Sequence, residues 1–72
     1  METISDRVRE LRRARGLDQR ELAAQAGVSM QTISNLETGR LRDLKVSTLS
    51  ALARSLGVSP AELLSPASVR AA

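Results

Sequence analysis

Residues 19–38 read QRELAAQAGVSMQTISNLET, and the fold turns on how this stretch is divided. Leu22, Ala23 and Ala26 recur at helical spacing before Gly27, and Ile33 and Leu36 do so before Gly39. Asp18 stands where a helix N-cap belongs, with Glu21 three residues later as its capping-box partner. Leu17 and Leu22 are spaced as the hydrophobic staple that accompanies such a start. Ser29 repeats the arrangement as a cap, with Val28 and Ile33 as its staple. The spacing therefore predicts helices over 19–26 and 30–37, joined only by Gly27, Val28 and Ser29. So short a connection forces a steep crossing, and Ala23 and Ala26 supply the small side chains that a close crossing requires.

The same punctuation extends outward. Ile4, Val8, Leu11 and Ala14 precede Gly16, and Leu49, Leu52, Ala53 and Leu56 precede Gly57. A glycine after an apolar-periodic stretch is what helix termination requires, because it enters the left-handed region without steric cost. A last start is marked by Ser59 with Glu62, by the Val58/Leu63 staple, and by Pro60 at the first helical position. Helices are expected over 3–15, 19–26, 30–37, 47–56 and 60–64, with no strand candidate. The fold class is all-α, a compact five-helix bundle over 1–64, followed by a loose tail over 65–72.

Composition bounds the rest. Seventy-two residues form one domain, and a chain this short buries only about 60% of its unfolded surface. It has no Cys, no His and no aromatic residue, so helix packing, helped by dimerisation, must stabilise it. No apolar run approaches the roughly 18 residues of a membrane span, and Met1 leads at once into a polar stretch; the expectation is a cytoplasmic protein with no membrane partner. Without His, Cys or a glycine-rich phosphate loop, and with one Lys, catalysis has no machinery; neither a metal nor a cofactor is expected. Net charge is +3, but its distribution says more than its size. Arg7, Arg9, Arg12, Arg13, Arg15 and Arg20 crowd the first third, and Arg40, Arg42 and Lys45 share a later loop, as phosphate-neutralising clusters do.

Two helices crossing over a short glycine-containing turn form a helix-turn-helix, whose second helix fits the DNA major groove. Residues 19–38 resemble that motif in the lambda-repressor-like family, the Cro or XRE type. The resemblance lies in Gln19, Glu21-Leu22-Ala23, the Gly27-Val28-Ser29 turn, and Ile33, Leu36, Glu37 and Gly39. It reaches back to Leu11–Leu17 and forward to LSALARSLGVSPAELL at 49–64, with a loop over 40–46 slightly longer than the family's commonest form.

With Ile33 and Leu36 facing the core, Met30, Gln31, Thr32, Ser34 and Asn35 are left for the outside. Each of the Gln31 and Asn35 amides carries the donor–acceptor pair that matches adenine N6 and N7. The resemblance implies base readers at Met30, Gln31 and Asn35, with Ser34 adding a contact; Met30 would touch a thymine methyl or act as a spectator. It also implies that Gln19 holds a backbone phosphate and that Arg12 pairs with Glu37. Arg40, directly after Gly39, is expected on the DNA backbone, with Arg42, Lys45, Ser29 and Thr32 as lesser phosphate contacts. Arg7, Arg9, Arg13 and Arg15 read as a solvated face that adds diffuse attraction.

The expectation is a sequence-specific regulator of transcription, a repressor binding a pseudo-palindromic operator as a homodimer through residues near Val58 to Leu64. No small-molecule ligand is expected. Two other readings stand beside it. An antitoxin or adaptor that chiefly binds a partner protein should carry an extra apolar segment, which SPASVRAA at 65–72 is not. A nucleoid-type binder using charge alone would have no need of the Gln31/Asn35 amides.

Overall fold

A computed structural model describes residues 3–41 and 44–64, with five helices among them: α1 (Ile4–Ala14), α2 (Gln19–Ala26), α3 (Met30–Glu37), α4 (Val46–Leu56) and α5 (Pro60–Leu64). The starts of α1, α2, α3 and α5 fall where side-chain caps put them. The Asp18 carboxylate accepts from the Glu21 amide at 2.7 Å, while Glu21 takes the Asp18 amide at 2.9 Å. The Ser59 hydroxyl accepts from the Glu62 amide at 3.3 Å, the forward half of the same device. At the start of α1, Thr3 and Asp6 form a further capping box, so the helix begins one residue later than its apolar spacing suggests. Gly27 closes α2 in the left-handed conformation at φ 71°, which lets the Val28 amide reach back to the Ala23 carbonyl at 3.0 Å. That closure directs the chain into the turn before α3.

α2 packs against both α3 and α4, α1 crosses α3, α4 and α5, and α4 contacts α5. Their shared core is Val8, Leu22, Ala23, Ile33, Leu36, Leu49, Leu52, Ala53, Leu56 and Leu63, all buried and all aliphatic. Leu17, Val28 and Val58, the residues just before three caps, pack against that core as staples do. No helix of the described residues is long and apolar enough to cross a membrane. The 65–72 tail and Arg42 lie outside the described residues.

Candidate nucleic-acid interface

α3 is fixed from one side. Ser29 caps it, its hydroxyl accepting from the Thr32 amide at 3.1 Å and sharing a 2.9 Å hydrogen bond with the Thr32 hydroxyl. Ile33 and Leu36 enter the core, and one turn after Ile33 the Glu37 side chain is drawn inward too, leaving the residue 4% exposed. A buried carboxylate needs partners, and two other helices provide them. Arg12 of α1 grips it in a bidentate fork, Nε donating to Oε2 at 2.6 Å and Nη2 to Oε1 at 3.0 Å. Gln19, the first residue of α2, donates from Nε2 to Oε1 at 3.2 Å. Arg12 also donates from Nη1 to the Leu17 carbonyl at 2.8 Å, so the same guanidinium braces the turn between α1 and α2. Burial pushes the Glu37 carboxyl up, but the hydrogen bonds from Arg12 and Gln19 and the charges of Arg12 and Arg9 outweigh it and hold the group below its ordinary value.

The opposite face of α3 is open. Met30 is 47% exposed, Gln31 is exposed, and Ser34 and Asn35 are half-buried at its flank. Gln31 donates from Nε2 to Asn35 Oδ1 at 3.0 Å, linking the two amides across one helical turn. The backbone carbonyl of Asn35 receives the amides of Arg40 and Leu41 at 2.8 and 3.2 Å, which holds the start of the following loop beside this face. Arg40 itself is exposed.

Among the residues expected on phosphates, Ser29, Thr32 and Lys45 line one cleft of about 300 Å³ between the starts of α3 and α4. Lys45 occupies the N-cap of α4 without a side-chain capping bond. Gln19 stands apart from them, half-buried against Glu37. Near the chain's other end, Leu63 is fully buried while Leu64 is 59% exposed, so of that pair only Leu64 faces outward.

The solvated-face reading of the α1 arginines holds only in part. Arg9 donates from Nη1 to the backbone carbonyl of Glu37 at 3.0 Å, satisfying the C-terminal end of α3, and pairs with Asp6 at 2.7 Å. Arg15 donates from Nη1 to the Leu56 carbonyl at 3.3 Å, doing the same for α4. Arg7 is half-buried with its Nε unpartnered, and Arg13 is exposed. Arg9, Arg12 and the C-cap residue Arg15 recur every third residue; that spacing is the signal that Arg9 and Arg15 would lie alongside Arg12, although Arg15 stays exposed.

This arrangement of short crossed helices is shared. A Helix-turn-helix family model matches residues 8–63, more than half of the chain. The chain belongs to the Cro/XRE-type helix-turn-helix family. Membership places it among DNA-binding-type domains and not among enzymes. It is 52% identical over 56 residues to the uncharacterized HTH-type transcriptional regulator y4dJ of Sinorhizobium fredii, covering 78% of this chain and 71% of that protein. Two further curated regulators are matched over only 48% and 46% of their own lengths. Among solved structures, the P22 c2 repressor in complex with a synthetic operator superposes with a TM-score of 0.83 at 30% identity, covering 89% of this chain and 96% of that one. SinR, a master regulator for biofilm formation solved in complex with DNA, superposes with a TM-score of 0.81 at 28% identity, covering 85% and 97%.

Proposed function

We propose that the protein is a transcription regulator that binds double-stranded DNA sequence-specifically, with α3 in the major groove. The observation that carries this reading is the division of α3 into two faces. The contacts that tie the helix to the rest of the fold lie on the Ile33–Leu36–Glu37 side, and the side chains able to read base edges lie on the other. A helix anchored from behind can enter a groove about 12 Å wide without giving up its packing.

In this reading Gln31 and Asn35 contact base edges, with Met30 and Ser34 beside them. Arg40, Lys45, Ser29, Thr32, Arg42 and Gln19 meet backbone phosphates. The Gln19 amide has two N–H groups, so one can stay on Glu37 while the other reaches a phosphate. The protein acts in the cytoplasm as a homodimer on a pseudo-palindromic operator, with its two α3 helices about 34 Å apart, one DNA turn. Leu64, exposed at the end of α5, lies in the segment assigned to the dimer contact. Repression is the supported direction of regulation because the operator-bound P22 c2 protein is a repressor.

Selection of bound duplexes from a random pool tests the proposal. A symmetrical enriched motif is expected, together with a steep loss of affinity as salt rises. Binding without enrichment would reduce the protein to a charge-driven binder and defeat the proposal. Arg40→Ala should weaken all sequences alike and lower the slope of log affinity against log salt by about 0.9 for each phosphate no longer neutralised.

A further inference from the structure

Taken singly, Gln31 and Asn35 would present the same chemistry, one carbonyl oxygen and one NH2 group each. The 3.0 Å hydrogen bond from Gln31 Nε2 to Asn35 Oδ1 makes them unlike. Gln31 gives up one of its two N–H groups and keeps the other, together with a free Oε1. That remaining donor–acceptor pair still complements adenine N6 and N7. Asn35 gives up one of the two lone pairs on Oδ1 and keeps both Nδ2 hydrogens, so the chemistry left to it is weighted towards donation. Turning the Asn35 amide over would set its NH2 against the Gln31 NH2, donor against donor. While Gln31 donates, Asn35 is locked.

We propose that Gln31 and Asn35 read DNA as one bonded unit with two different targets, an adenine for Gln31 and a guanine for Asn35. The two Nδ2 hydrogens face the paired acceptors O6 and N7 that guanine alone presents in the major groove. Four residues of helix advance about 6 Å, less than two base-pair rises of roughly 3.4 Å, so the two bases lie within two steps of each other. Entry into the groove favours the bond. Once water is displaced, breaking it would strand a donor on Gln31 and an acceptor on Asn35 with no solvent to receive them.

This inference rests on the base-reading role assigned above, and one experiment separates the two. Selection from a random duplex pool is run with the full chain as wild type, Gln31→Ala and Asn35→Ala, with circular dichroism confirming that each variant is folded. The wild-type half-site should contain an adenine and a guanine within two steps, each preferred about ten-fold or more over other bases. Asn35→Ala should flatten the guanine preference while the adenine remains. Gln31→Ala should flatten the adenine preference and also relax the guanine position towards adenine, because the freed Asn35 amide can turn over. Two outcomes overturn the bonded unit alone: an A·T pair at the position sensitive to Asn35, or a Gln31→Ala variant that loses one base preference and leaves the other intact. If both variants retain the complete wild-type motif, the base-reading role falls and the unit with it.

Discussion

The two faces of α3 are built from different kinds of hydrogen bond. On the inner face the bonds are long-range: Gln19 to Glu37 spans 18 residues, Arg12 to Glu37 spans 25, and Arg9 to the Glu37 carbonyl spans 28. On the outer face every side-chain bond is local. Ser29 with Thr32, Gln31 with Asn35, and Thr38 with the Ser34 carbonyl are three or four residues apart. The inner bonds close loops between helices and so belong to the fold, whereas the outer ones only order a helix that already exists. Residues on the outer face can therefore be exchanged without disturbing the core, and a reading surface has use for that freedom. The contrast between the faces can be broken at several points.

The largest effect is expected at Glu37, where the inner bonds converge. Glu37→Ala leaves the Arg12 guanidinium, whose side chain is only 12% exposed, without its carboxylate, and also removes the partner of Gln19. Breaking a buried pair on one side typically costs about 3–5 kcal/mol. A domain of this size has a total stability near the lower end of about 5–15 kcal/mol, so the variant should keep no more than about 2 kcal/mol and unfold at a much lower urea concentration than the wild type. Urea unfolding followed by circular dichroism measures this; a midpoint equal to wild type would show that the network adds nothing.

Acid probes the same group without a mutation. Because the Glu37 carboxyl is held below its ordinary value in the folded protein, the unfolded chain takes up the proton first as pH falls. Stability from this group is fully present above about pH 4.5, its ordinary value, and is lost progressively as pH drops from there through the folded value. One group changes stability by at most about 1.4 kcal/mol per pH unit. Thermal midpoints across pH 2–7 should show this acid limb in the wild type and a flatter one in Glu37→Gln. An equal limb in both proteins would assign the acid sensitivity to other carboxylates.

Local rules made most of the fold legible in the sequence, and long-range ones account for what was not. The starts at Asp18, Ser29 and Ser59 and the closures at Gly27 and Gly57 lie within a few residues of the bonds they make, so the helices they bound could be placed from spacing alone. The Thr3–Asp6 box obeys the same rule but was masked by the apolar period, which runs through Ile4 without marking where it begins. Arg9 and Arg15 were harder. Their partners are backbone carbonyls of Glu37 and Leu56, and a carbonyl has no residue identity from which a pairing could be inferred. At the candidate site, outward placement of Met30 and Gln31 followed from Ile33 and Leu36 facing in. The convergence of Ser29, Thr32 and Lys45 on one cleft did not, because Lys45 lies 13 residues beyond Thr32 and no local spacing relates them.

A cap lies between the two faces in both position and expected effect. Ser29→Ala removes the acceptor of the Thr32 amide at the first turn of α3 and should cost about 1 kcal/mol. Restoration of wild-type stability by Ser29→Asp, which can accept the same amide, would identify the loss as capping; no recovery would point instead to the Ser29–Thr32 hydroxyl bond. In the cleft Ser29 shares with Lys45, the aspartate would also repel a phosphate, so stability and DNA affinity should move in opposite directions.

The smallest effect on stability is expected at Gln31, and its smallness is what makes it informative. Gln31 is exposed, and its side-chain bond to Asn35 closes a loop of only four residues. Such pairs stabilise a helix by about 0.2–0.5 kcal/mol, so Gln31→Ala should fall within that margin of wild type, partly offset by alanine's better helix propensity. If the outer face reads DNA, the same substitution should cost about 1–3 kcal/mol in discrimination at the base pair it contacts. The ratio of the two effects is the measure of the division within α3. A variant at Glu37 loses binding because it loses structure, whereas one at Gln31 should lose specificity while its unfolding curve overlays that of the wild type. A substantial drop in the Gln31→Ala unfolding midpoint would mean that the outer face also supports the fold, and the separation of the two faces would fail.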